Sequence, residues 1–84
     1  FRAFNNRGLC RRLIGECGMA IDDFTLSVSI NPYQSESYYG RALAWYELGD
    51  LARAVEDSAC ALNFKPESAS IRGFHEMVRK KMFE

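Results

Sequence analysis

Residues 1–34 and 35–68 of this chain superimpose in register, with no gap. Sliding the first segment onto the second pairs Arg7 with Arg41, Leu9 with Leu43, Gly15 with Gly49, Ala20 with Ala54, Asp23 with Asp57 and Pro32 with Pro66. Conservative pairs fill the intervals: Phe4/Tyr38, Gly8/Ala42, Ile14/Leu48, Glu16/Asp50, Ile21/Val55 and Val28/Leu62. Self-similarity at a period of 20–50 residues is the signature of stacked supersecondary units, each too small to bury its apolar face alone. The repeat therefore constrains the architecture more than any single motif, and it points away from catalysis.

Each unit reads as two helices. Apolar residues recur at helical spacing, and no alternating run reads as a strand. The first helix is expected from about Ala3 to Ile14, ending at Gly15, and the second from about Met19 to Ile30, with Ile21, Phe24, Val28 and Ile30 on its buried side. Asn31-Pro32 closes it, because a residue before proline is driven out of the α region. A third helix follows Ser35, presents Tyr38, Ala42, Trp45 and Leu48, and stops at Gly49-Asp50. The fourth spans about Leu51 to Phe64 and ends at Lys65-Pro66. Ser68 or Ser70 can cap a fifth, whose stripe is Ile71, Phe74, Met77 or Val78, and Met82.

The hairpins can be registered by counting. Arg7 and Asp23 are each eight residues from Gly15, and Arg41 and Asp57 are each eight from Gly49. An antiparallel pair sets such residues level, so both pairs are expected as structural ion pairs, worth about 0–1 kcal/mol each at an exposed edge. Gly8, Ala20, Ala42 and Ala54 fall where two helices must approach closely, beside the larger Phe4, Phe24, Tyr38, Trp45 and Leu51. Replacing Ala54 by leucine is expected to overpack the hairpin and cost about 1–3 kcal/mol.

Composition narrows the functional classes. The 84 residues carry 11 basic and 11 acidic side chains, so the basic footprint of a general nucleic-acid binder is missing. No apolar run approaches the roughly 20 residues of a membrane span, and the first residues lack a signal-peptide core. Cys10, Cys17 and Cys60 form no CxxC pair and cannot all be bridged internally, which favours an intracellular, reduced, cytoplasmic chain. Cys17 and Cys60 are expected as small core hydrophobes. The single histidine, His75, has no evident partner for proton transfer, and no four-ligand metal spacing exists. The expectation is a chain that is not an enzyme and uses no cofactor. Because it begins at Phe1, without an initiator methionine or an N-cap residue, a segment of a longer protein is expected.

Taken together, the residues resemble the tetratricopeptide repeat (TPR) family. The second unit matches its 34-residue pattern through Tyr38, Ala42, Trp45, Leu48-Gly49, Ala54, Ala61 and Pro66, and the first through Phe4, Gly8, Ile14-Gly15, Ala20, Phe24 and Pro32. Arg11, Ser27 and Ser58 depart from it, standing where the pattern has an aromatic, an alanine and an aromatic. Arg11 is expected to weaken packing in the first hairpin, or to serve a neighbouring unit outside this segment. The helix after Pro66 matches less well and resembles the cap that ends such arrays. The resemblance implies an all-α, right-handed α-solenoid in one domain: two hairpins, 1–34 and 35–68, and a capping helix, 69–84.

It further implies a concave groove lined by the first helix of each unit. The matching residues here are Arg2, Asn5, Asn6, Leu9 and Arg12, then Glu36, Tyr39, Leu43 and Tyr46, with Lys80 added by the cap. Amides that pair with peptide backbone, amphipathic tyrosines, and Arg12 and Lys80 as carboxylate holders suit an extended peptide. The expected partner is thus another protein, bound by a scaffold or adaptor, and self-association is open; no nucleic acid, membrane or cofactor is implied. The clamp by which some family members grip chaperone carboxyl termini is absent, since its positions hold Asn5, Leu9, Gly40, Ser70 and Phe74. The alternative is a purely structural segment of a longer array, with the binding site elsewhere.

Overall fold

A computed structural model describes all 84 residues as five helices with no strand. They are α1 (Arg2–Leu13), α2 (Cys17–Ile30), α3 (Ser35–Glu47), α4 (Leu51–Phe64) and α5 (Ala69–Met82). Each helix packs on the next in sequence, and α1 also touches α3.

The two hairpin turns are the same device. Gly15 and Gly49 have φ of +88° and +85°, a conformation without steric penalty only for glycine. The amide of Gly15 donates to the Arg12 carbonyl and that of Glu16 to Arg11 at 2.8 Å; in the second hairpin Gly49 donates to Tyr46 and Asp50 to Trp45 at 2.9 Å. This paired pattern satisfies two helix-end carbonyls and aims the chain into the next helix. Helix α2 starts two residues before the expected Met19, because Glu16 leads straight into it and its carbonyl already accepts from Ala20. Ser35 lies inside α3 as its first residue. The cap is Gln34, whose Oε1 accepts from the Ser37 amide at 2.9 Å. Ser68 caps α5.

The expected ion pairs are present, in a different environment. Arg7 Nη2 lies 2.8 Å from Asp23 Oδ1, and Arg41 Nε lies 2.7 Å from Asp57 Oδ2. The carboxylates are not at an exposed edge, for Asp23 and Asp57 are both buried between their helices. Nor does Arg11 merely weaken the first hairpin: its Nη1 sits 3.2 Å from Asp23 Oδ2, giving that carboxylate a second guanidinium. A buried carboxylate must be paired, since leaving it alone costs several kcal/mol.

The core is small and uneven. Phe24 is fully buried and lies against the backbone of α1 and α3 at Gly8 and Gly40. A second cluster joins Ala42, Ala54, Phe74 and Val78, flanked by Tyr39, Leu43, Trp45, Tyr46, Leu51 and Val55. A third joins Cys17, Ile21 and Ala44 under Trp45. Val78, and not Met77, completes the buried stripe of α5, while Met82 is exposed. Ile30 and Leu48, expected inside, are exposed because each stands at a helix end, beyond the neighbour that would cover it. Cys60 is exposed as well: the inward positions of α4 are Ala54, Asp57, Ser58 and Ala61, and Cys60 lies about 100° round the helix from Ala61.

Two departures from the repeat pattern find uses. Ser27 joins a buried polar node: the Ser37 hydroxyl is 2.6 Å from Ser27 Oγ and 2.8 Å from Asn5 Oδ1, and Ser27 donates to the Phe1 carbonyl at 3.0 Å. The node ties α1, α2 and α3 together and satisfies groups that would be costly to bury alone. Ser58 Oγ lies 2.6 Å from His75 Nδ1, joining α4 to α5. Burial pushes the His75 pKa below its ordinary 6.5, with Arg79 adding in the same direction.

Candidate functional site

The groove-lining residues come from the first helix of each hairpin and from α5, and the fold sorts them into separate groups. At the amino-terminal ends of α1 and α3, Phe1, Arg2, Asn5, Asn6 and Glu36 surround a concavity of about 130 Å³. Arg2, Asn6 and Glu36 are exposed, with Arg2 resting over the Phe1 ring. Asn5 is buried, and its Oδ1 serves Ser37, so it offers a ligand little beyond its amide edge.

Along α3, Tyr39, Leu43 and Tyr46 form a half-buried row. Both tyrosine rings meet Phe74 of α5 edge-on, with centroids at 5.7 and 5.8 Å. Such contacts hold the rings in place while their hydroxyls remain available to bond. Leu9 of α1 is half-buried.

At the far end, Arg12 is already occupied. Its Nη1 sits 2.6 Å from Glu47 Oε1, and the Cys17 thiol donates to Glu47 Oε2 at 3.1 Å. Burial pushes the Cys17 pKa up, and the hydrogen bond to Glu47 adds to it, so the thiol stays protonated. A carboxylate ligand at Arg12 would have to displace Glu47. Arg12 Nε is buried without a partner, as is Gln34 Nε2. Lys80 stands apart on the outer side of α5, lining hollows with Glu76, Arg79 and Phe83, and with Gly73, Met77, Lys81 and Glu84. It is not brought to Arg12, so the two do not form a joint carboxylate site.

Sequence reasoning missed the Arg12–Glu47–Cys17 cluster and the Ser58–His75 pair. Both join residues of neighbouring hairpins, and the repeat offset carries no signal for such contacts. Gly40, one of the positions at which the chaperone clamp is absent, is buried against the Phe24 ring. No group of three or more His, Cys, Asp or Glu side chains is placed to hold a metal ion, and no helix is long and apolar enough to cross a membrane. Compared with known protein families, the chain matches no family model.

Proposed function

We propose that this chain is a protein–protein interaction module of the tetratricopeptide type, a right-handed solenoid that binds an extended or helical segment of another protein as a scaffold or adaptor does. The reading is supported above all by the repeated hairpin: the same left-handed glycine turn and the same pairing of an arginine with a buried aspartate recur one repeat apart. The row of Tyr39, Leu43 and Tyr46, stiffened by Phe74 and bordered by the Arg2/Asn6/Glu36 concavity, offers the mixed aromatic and polar surface a peptide needs. Arg12 acts as a strut to Glu47 and not as an anchor, so the expected ligand is read by backbone and apolar contacts more than by a terminal carboxylate.

The alternative, a structural segment whose array binds elsewhere, draws support from that same strut and from the polar outer side of α5. The two readings separate in one experiment. Peptides selected from a random displayed library against the immobilised chain are titrated into isotopically labelled protein, and amide shifts are mapped. Perturbations centred on Asn6, Tyr39, Leu43 and Tyr46, weakened by Tyr46→Ala, are the expected result. No selectable binder, or shifts confined to the outer faces of α2 and α4, would leave the structural reading.

A further inference from the structure

The Arg12–Cys17–Glu47 cluster has a counterpart one repeat offset on, and there the carboxylate is missing. Moving each residue forward by the offset gives Tyr46, Leu51 and Lys81, on α3, α4 and α5. Every helix that builds either junction lies within the chain. At the α1–α3 junction three polar groups close on one another. Arg12 Nη1 stands 2.6 Å from Glu47 Oε1, and the Cys17 thiol donates to Glu47 Oε2 at 3.1 Å. At the α3–α5 junction a phenol replaces the guanidinium, a leucine the thiol and an ammonium the carboxylate. Two donors remain, without the carboxylate that both would bond.

The helical period sets the ammonium on the groove side of α5. Lys81 follows Phe74 by about 20° less than two full turns, so both lie on one face of the helix. Phe74 is the residue whose ring meets Tyr46 edge-on, with centroids 5.8 Å apart. Tyr46 and Leu51 pack on the same buried cluster, of which Phe74 is a member. Tyr46, Leu51 and Lys81 thus converge on the carboxyl-terminal end of the α3–α5 junction.

These groups are unspent. Arg7, Arg11, Arg12 and Arg41 are each held by a carboxylate of the chain, whereas Lys80 and Lys81 are exposed and belong to no ion pair. No hydrogen bond of the chain engages the Tyr46 hydroxyl. The acid at that end of α3, Glu47, is occupied by Arg12 and Cys17. Glu76 and Glu84 border the hollow that Lys81 lines, and neither forms an ion pair with it.

We propose that Tyr46 and Lys81 hold an acidic side chain of the segment bound in the groove. The phenol donates one hydrogen bond and the ammonium a charge-assisted one, so the carboxylate serves the α3–α5 junction as Glu47 serves the α1–α3 junction. Charge complementarity commits the partner: Lys80 and Lys81 repel a basic segment and draw an acidic one. Leu51 and Leu43 give apolar ground beside the site, so the acid is flanked by an apolar residue lying along α3. The inference rests on the groove reading and names the chemistry of its ligand. An aspartate or glutamate within the segment suffices, and no terminal carboxylate is needed.

The test selects displayed random peptide libraries in parallel against the wild-type chain and against Lys81→Glu, and measures the binders by titration calorimetry. Wild-type binders should share an Asp or Glu at a fixed distance from an apolar residue. Their affinity should fall about fivefold or more in Lys81→Glu, because the reversal turns an attraction into a repulsion. Replacing the shared acid by lysine should restore binding to Lys81→Glu, a rescue that a folding defect could not give. Tyr46→Phe, which keeps the ring and removes the hydroxyl, should lose about twofold to tenfold. Lys65→Glu, beyond the end of α4, makes the same change in net charge and should leave affinity unchanged. Binders with no shared acid, or binders indifferent to Lys81→Glu and Tyr46→Phe, would overturn this inference and leave the groove reading standing. An equal loss in Lys65→Glu would mark a general charge effect and overturn it as well. If neither chain selects a peptide, the groove reading falls and this one with it.

Discussion

The closest packing of a side chain on any glycine of the chain gives the sharpest prediction. A Cβ built at Gly40 would lie 2.5 Å from both Cε1 and Cζ of Phe24, well inside van der Waals contact. The ring cannot simply swing away, because Phe24 is completely buried and also stands about 3 Å from where a Cβ at Gly8 would lie. Gly40→Ala should therefore force α2 and α3 apart or push the ring off its rotamer, at about 1–3 kcal/mol. The better helix propensity of alanine returns about 1 kcal/mol. The net loss is up to about 2 kcal/mol, or as much as roughly 15 °C in Tm for a chain of this length. Gly73→Ala is the internal control: it too is a mid-helix glycine, but a Cβ there meets nothing within 4 Å, so the propensity gain alone should raise Tm by a few degrees. Thermal unfolding followed at the helix band of circular dichroism reads both. The double variant Gly40→Ala/Phe24→Leu should be less destabilised than the sum of its parts, because a smaller side chain makes room for the methyl. Equal stabilisation by the two alanines, or strict additivity in the double variant, would refute the account of how α1, α2 and α3 meet.

Asp57→Asn should cost about 2–3 kcal/mol in urea unfolding, since it leaves Arg41, whose side chain is mostly buried, without its charge partner; a loss below about 0.5 kcal/mol would mean the pair only registers the hairpin. The lowered pKa of His75 fixes the sign of a pH effect. The unfolded chain binds the proton first, so stability is full above the ordinary value of 6.5 and falls as pH drops through it towards the lower folded value. The urea midpoint of the wild type should thus decline on acidification towards pH 5 more steeply than that of His75→Gln, and parallel declines would contradict a half-buried imidazole held below its ordinary pKa. In a maleimide time course at neutral pH, Cys10, which is exposed, should label quickly, whereas Cys17 should label only as fast as the chain opens. Equal rates would place Cys17 outside the core.

What could be read from the sequence was whatever the repeat offset and the helical period both specify. The glycine turns, the proline stops and the level of the Arg–Asp pairs depend on counting along one hairpin, and all were legible in advance. Burial was not, because it depends on which neighbour arrives. Ile30 and Leu48 satisfy the helical period yet lie past the ends of the surfaces that would cover them, and Cys60 misses the core by a single residue of rotation. Of the groove residues, Asn5 and Arg12 behave least as spacing implied, for each is claimed by a partner on α3, Ser37 and Glu47. A serine 32 positions on and a glutamate 35 positions on leave no local trace in a sequence.

The places where the two hairpins disagree carry as much structural logic as those where they agree. Phe24 of α2 is followed one offset later by Ser58 of α4, which removes a whole aromatic ring from the second junction. The first helix that follows shows the opposite change, from Gly40 in α3 to Phe74 in α5. The ring that α2 supplies at the α2–α3 junction is thus supplied by α5 at the α4–α5 junction, where Phe74 packs with Ala42, Ala54 and Val78 and carries the edges of Tyr39 and Tyr46. Volume is conserved at the junction and not at the position, as a close-packed interior requires. The exchange also has a consequence at the surface. With its aromatic on α5, the second junction can brace the α3 tyrosines from beneath, which a ring on α4 could not do. Tyr39 and Tyr46 are therefore held by the same substitution that makes the second junction depart from the first.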